Sequence, residues 1–130
     1  MQDPFDLGRF VEAQDPVYAR VCGELRGGRK ETHWMWFVFP QMRGLGQSAM
    51  ATRYGIASQA EAEAYLLHPV LGPRLRECTQ LVNAIKGRTV DEIFGTPDNV
   101  KFRSCMELFG GATADGGEFA EALRKFFPVA

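Results

Sequence analysis

The sequence predicts an all-α fold of about seven or eight short helices, and three features carry that reading. Helix-start residues alternate with helix-stop glycines along the chain. Apolar residues recur at spacings of three and four, and strand-like alternation is nearly absent.

Taken in order, Leu7, Phe10 and Val11 mark a first short helix, and Val17, Val21, Cys22 and Leu25 a second. Asp3-Pro4, Asp15-Pro16 and Thr96-Pro97 each set a capping side chain before a proline, which suits a first helical turn because it has no N–H to leave unpaired. Trp34 to Phe39 is an unbroken apolar run that periodicity cannot assign to strand or helix. A helix is favoured, because a lone strand would find no partner for its backbone groups. Ser58-Gln59-Ala60-Glu61 and Thr89-Val90-Asp91-Glu92 match the capping box, in which the cap and the third residue satisfy each other's free donors. Between Pro69 and Lys86, Leu71, Leu75, Cys78, Val82 and Ile85 form one apolar stripe. Phe102, Cys105, Met106 and Phe109 form another, and Phe119, Ala122, Leu123 and Phe126 a last one before Pro128. Gly27-Gly28, Gly87, Gly95 and Gly110-Gly111 suit the left-handed residue that closes a helix.

The 130 residues fit a single domain spanning 1–130. With 45% hydrophobic and 24% charged residues the chain is globular in composition, which rules out disorder. Fifteen basic against sixteen acidic residues give a net charge of −1, so neither nucleic acid nor an anionic membrane is an expected partner. Cys22, Cys78 and Cys105 are odd in number and far apart, which excludes a complete disulfide framework and points to a reducing compartment, with thiols used as small apolar residues. The opening Met1-Gln2-Asp3-Pro4 lacks the basic and then apolar run of a signal peptide, and Trp34 to Phe39 falls far short of the roughly 20 residues of a spanning helix. A cytoplasmic location is the expectation. No metal-ligand spacing, acyl-hydrolase elbow or Walker sequence occurs, so no metal and no cofactor is expected. Whether the chain catalyses a reaction stays open at this level, as does its oligomeric state.

Chemistry concentrates in His33-Trp34-Met35-Trp36-Phe37-Val38-Phe39-Pro40-Gln41. One reading is a core helix, since aromatics dominate core energetics. The other is a wall for a planar ligand, with His33 or Gln41 supplying polar contacts. On a helix Trp34 and Trp36 point about 200° apart, so at most one faces such a site. Gly44-Leu45-Gly46-Gln47-Ser48-Ala49 formally matches G-x-G-x-x-A, but no strand leads into it, and a plain turn with Ser48 as N-cap is the better reading. Helical projection puts Arg74 inside the apolar arc of its helix and Lys101 beside Cys105 and Leu108, with Asp98 in the same arc. Buried charges are paired or bound to a ligand, so these two cations either make internal ion pairs or flank an anion. His68, before Pro69 at a helix junction, is read mainly as a hydrogen-bond partner of a nearby carbonyl.

These residues closely resemble the bacterial family called domain of unknown function 1810. The resemblance rests on His33 to Gln41, Gly44-Leu45-Gly46, Tyr65 through Leu75, the opening Asp3-Pro4-Phe5-Asp6-Leu7, Phe94-Gly95 with Asp98, and Lys101 through Phe109. It covers nearly the whole chain. The sequence departs from the family pattern at Glu107, where a threonine is expected. The resemblance implies an all-helical fold and no established activity. Some relatives carry the label calpastatin, whose inhibitory regions are disordered and repeated; a compact, unrepeated chain does not fit it. A looser similarity in helical style is to N-glycosidases acting on ADP-ribose-related substrates, with no catalytic motif in common.

The family pattern includes His33, Trp36, Gln41, His68, Arg74 and Lys101, and these form the expected ligand-binding set. The expected ligand is a small anionic metabolite, nucleotide-like or a sugar phosphate, held by Arg74 and Lys101 against Trp36. The alternative is a protein-interaction module in which the aromatics are core and the cations are internally paired.

Overall fold

Large aromatic side chains set the interior, and short helices deliver them to it. The computed structural model describes residues 2–128 and contains, among them, nine helices. These are α1 (Gly8–Gln14), α2 (Tyr18–Arg26), α3 (Met35–Val38), α4 (Ala49–Arg53), α5 (Gln59–Leu67), α6 (Leu71–Asn83), α7 (Val90–Phe94), α8 (Asp98–Gly110) and α9 (Gly117–Phe126). The all-α, single-domain expectation holds, with α3, α4 and α7 each only about one turn long. The Trp34–Phe39 run is a single helical turn. Among the described residues the one strand-like feature is an isolated parallel bridge, Met42 to Ile56.

The caps sort into kept and diverted. Thr89 makes the complete box with Glu92 at the start of α7. Ser58 accepts from the Glu61 N–H, but the Glu61 carboxylate turns away to the Ala57 N–H and to Arg9, so only half of that box forms. Asp3 accepts from the Leu7 and Gly8 N–H groups and so holds the entry to α1. Asp15 and Thr96 do not cap: Val17 and Pro97 occupy the cap positions of α2 and α8, and Asp15 instead pairs with Arg74. Of the helix-closing glycines, Gly28, Gly87 and Gly95 take φ of +82°, +76° and +74°, whereas Gly27 and Gly111 remain right-handed. Thr89→Ala is expected to cost about 1 kcal/mol, because the Glu92 N–H loses the Thr89 hydroxyl that accepts from it. A chemical denaturation midpoint unchanged from wild type would refute that cost.

Helices α5, α6, α8 and α9 pack against one another, α2 lies on α6, and α1 holds α3. The stripes Leu71, Leu75, Cys78 and Val82 on α6 and Phe102, Cys105, Met106 and Phe109 on α8 are buried, as their spacing requires. Phe39 meets Phe102 edge-on at 5.1 Å and 88°, while Phe94 stacks on Phe102 at 4.7 Å. Phe10 meets Tyr65 edge-on at 5.1 Å, joining α1 to α5. Such pairs contribute about 1 kcal/mol each beyond the area they bury. Because α3 is packed on its Met35, Phe37 and Val38 sides, Trp36 is left on the outer side of the turn, half-buried.

Candidate functional site

The approach to α3 is fixed by one buried carboxylate. Glu24 Oε1 accepts from the Glu31 N–H at 2.7 Å, the Thr32 N–H at 3.0 Å and the Trp34 indole at 2.9 Å. Its Oε2 accepts from the Thr32 hydroxyl at 2.6 Å. Burial pushes this carboxyl up, but the hydrogen bonds from Thr32, Glu31 and Trp34 outweigh it and hold the group at about 2. Trp34 is therefore an interior residue, and only Trp36 of the pair is free to face a ligand.

Trp36, Gln41 and Lys101 share one cleft, whose other walls include Met35, Phe39, Tyr54 and Gly55. The cleft is narrow and measures about 230 Å³ counted out to its mouth. Gln41 is held by its backbone, whose carbonyl accepts from the Ile56 N–H at 2.9 Å, while the Arg43 N–H donates to the Ile56 carbonyl at 2.8 Å. A Cβ at Gly55 would lie 2.7 Å from the Arg43 backbone, so glycine alone lets the two segments close this side of the cleft. From α8, the Lys101 ammonium stands 5.3 Å from the centre of the Trp36 ring. It is 3.8 Å from Asp98 Oδ1, while Lys30 holds Asp98 Oδ2 at 2.9 Å. One carboxylate thus answers two ammonium groups, and Lys101 has the longer contact.

The remaining three expected residues lie elsewhere. Arg74 pairs with Asp15 at 2.9 Å, reaches Gln14 Oε1 at 3.4 Å and covers the Tyr18 ring, so it does not line the Lys101 cleft. His68 accepts at Nδ1 from the Val70 and Leu71 N–H groups at 3.1 and 3.2 Å. It starts α6 as an acceptor, rather than bonding a carbonyl as the sequence suggests. His33 is exposed ahead of α3. Gly44 to Ala49 is the plain turn expected, with Ser48 accepting from the Ala51 N–H at the start of α4. Glu107 is exposed and pairs with Arg103 at 3.6 Å on the outer face of α8.

Sequence reasoning missed Lys30, because it lies in a loop without periodicity. It also missed Arg9, whose guanidinium is buried against Glu61 at 2.8 Å. A signal existed nearby: Phe10 and Gln14 share one face of α1 with the preceding Leu7, and Gln14 is buried, donating to the Phe37 carbonyl at 2.7 Å. Among the described residues no group of three or more His, Cys, Asp or Glu is placed to hold a metal ion. No helix there is long and apolar enough to cross a membrane.

A family model described as a protein of unknown function (DUF1810) matches residues 4–130. Among solved structures, the chain is similar to the conserved hypothetical protein Rv1873 from Mycobacterium tuberculosis. The two share 60% identity at a TM-score of 0.95, over 96% of this chain and 89% of that one. No curated protein matches the chain.

Proposed function

The chain belongs to the DUF1810 family, and we propose that it is a small cytoplasmic protein that binds an anionic metabolite at the Trp36–Gln41–Lys101 cleft. The supporting observation is the charge imbalance there: Asp98 is shared by Lys30 and Lys101, and the more weakly held Lys101 ammonium lies over the half-exposed Trp36 ring. A phosphate or carboxylate can take the vacant donor directions of that ammonium, and a charge-assisted bond of this kind contributes about 2 kcal/mol. The narrow interior admits only one small group, so a nucleotide-like or sugar-phosphate ligand would lie across the mouth with its planar or sugar part against Trp36. Gln41 supplies an amide for a neighbouring hydroxyl or ring nitrogen. The three buried free thiols agree with a reducing cytoplasm.

Screening nucleotides and phosphorylated metabolites by thermal shift and by tryptophan fluorescence tests this reading. A ligand that raises the wild-type melting temperature should bind about tenfold or more weakly to Lys101→Met, which keeps the stem over Trp36 but removes the charge. Arg74→Met should leave its affinity unchanged. A screen without a single ligand, or a ligand indifferent to Lys101→Met, would move the assignment to the interaction-module alternative.

A further inference from the structure

Two of the three cysteines meet across the α2–α6 seam in a setting that the metabolite cleft does not use. Cys22 on α2 and Cys78 on α6 are both buried, at 4% and 0% exposure, and the two helices pack directly. Each sulfur lies 3.9 Å from one end of a single hydrogen bond, Cys22 from Glu77 Oε1 and Cys78 from the Tyr18 hydroxyl, and that hydroxyl donates to the same Glu77 oxygen. The thiols, the phenol and the carboxylate therefore form one closed cluster, with the Arg74 guanidinium over the Tyr18 ring. Glu77 is exposed, so the cluster sits at the rim of the seam rather than in the depth of the core. Cys105 lies on α8, as fully buried as Cys78, and burial pushes its thiol up.

The geometry points to a reversible dithiol–disulfide pair, Cys22 with Cys78, that staples α2 to α6 when a small hydroperoxide oxidises it. Cys22 is the attacking sulfur. The hydrogen bond from Cys78 pulls its thiol down most, Tyr18 and Arg26 act in the same direction against burial and Glu77, and the group settles at about 6. Cys78 is pushed up, by Cys22 first and then by burial. In the first step the Cys22 thiolate attacks hydrogen peroxide, an S–O bond forms, the O–O bond breaks, and the departing hydroxide leaves as water with the Cys78 proton. The Cys78 thiolate then attacks the Cys22 sulfenic acid, the S–S bond forms, the S–O bond breaks, and hydroxide takes a proton from solvent. Two electrons pass from the sulfurs to the peroxide, and two waters result. A dithiol returns the pair to its reduced state by exchange.

Wild-type chain would be treated with hydrogen peroxide, alkylated with iodoacetamide, digested without reductant and mapped by mass spectrometry. The expected product is an intrachain Cys22–Cys78 peptide that has lost two hydrogens, with Cys105 alkylated; oxidised chain given dithiothreitol before denaturation and alkylation should instead carry the alkyl group on all three cysteines. In Cys78→Ala, oxidation should stop at a Cys22 sulfenic acid that dimedone traps, and Cys105→Ala should leave the yield of linked peptide unchanged. The wild-type map stands even if the Cys78 variant folds poorly. Either of two wild-type results would overturn the pair: Cys22 driven to sulfonic acid while Cys78 remains alkylatable, or both thiols still alkylated when the half-buried Met42 and Met50 have already been oxidised.

Discussion

Arg9→Ala is expected to lower the stability of the chain by about 4 kcal/mol, the cost of breaking one half of a buried ion pair. The Arg9 side chain uses all of its nitrogens. Its Nε donates to the Arg53 carbonyl at 2.8 Å, Nη1 to the Phe5 and Asp6 carbonyls at 2.7 and 2.8 Å, and Nη2 to the Gly55 carbonyl at 3.0 Å and Glu61 at 2.8 Å. The guanidinium also stacks 4.3 Å from the Phe10 ring centre. One cation thus ties the N-terminal turn, the segment after α4 and the start of α5 to α1. Removing it leaves the Glu61 carboxylate buried with only the Ala57 N–H, and leaves several carbonyls without a donor. Urea denaturation measures the loss directly. Because most of it comes from stranding Glu61, Arg9→Met combined with Glu61→Leu should recover more than half of the cost of Arg9→Met alone. Strictly additive losses would show that the pair itself contributes little. Tyr54 and Gly55, next to the Arg53 carbonyl that Arg9 holds, form one side of the cleft, so Arg9→Ala should loosen the Trp36 site before global unfolding.

That ion pair also marks how far the sequence could be read. Helix periodicity ranks the faces of one helix, and it correctly buried Leu71 to Val82 and Phe102 to Phe109. It placed Lys101 in an apolar arc beside Asp98, and those two residues do pair. It could not name partners across the fold. Arg9 and Glu61 are 52 positions apart, and Glu61 carries a local capping signature that its long-range partner overrides. Asp15 shows the same conflict: Asp15-Pro16 reads as a helix cap, but the carboxylate is taken by Arg74. The candidate site was legible only in part, for a related reason. Trp36 and Gln41 are close in sequence, so their neighbourhood follows from one turn of helix. Whether Lys101 or Arg74 joins them depends on how α8 and α6 sit relative to α3, which no single-helix projection contains. Lys30 and Glu24 were invisible because their roles come from a loop folded back on α2, where no period exists to read.

Glu24→Ala is expected to cost about 3 kcal/mol, and the part of that cost that the carboxylate charge supplies should be lost in acid. Four donors converge on Glu24, one of them the indole of the fully buried Trp34. Alanine leaves that indole and the Thr32 N–H facing a void. Glutamine keeps the volume but aims an NH₂ group at donors, so Glu24→Gln should recover only part of the loss. The sign of the pH dependence follows from the direction of the shift. The folded-state carboxyl lies at about 2, below its ordinary value of 4.5, so the unfolded chain binds this proton more readily than the folded one. The stabilisation is therefore complete above pH 4.5 and is lost as the pH falls from there toward 2. Denaturation midpoints of wild type and Glu24→Gln should differ most at neutral pH and converge across that window, with the contributions of the other carboxylates cancelling in the difference. Curves that stay parallel down to pH 2.5 would assign the loss to packing rather than to the charge. Tryptophan emission gives the local readout, since freeing the indole of Trp34 from Glu24 alters its environment.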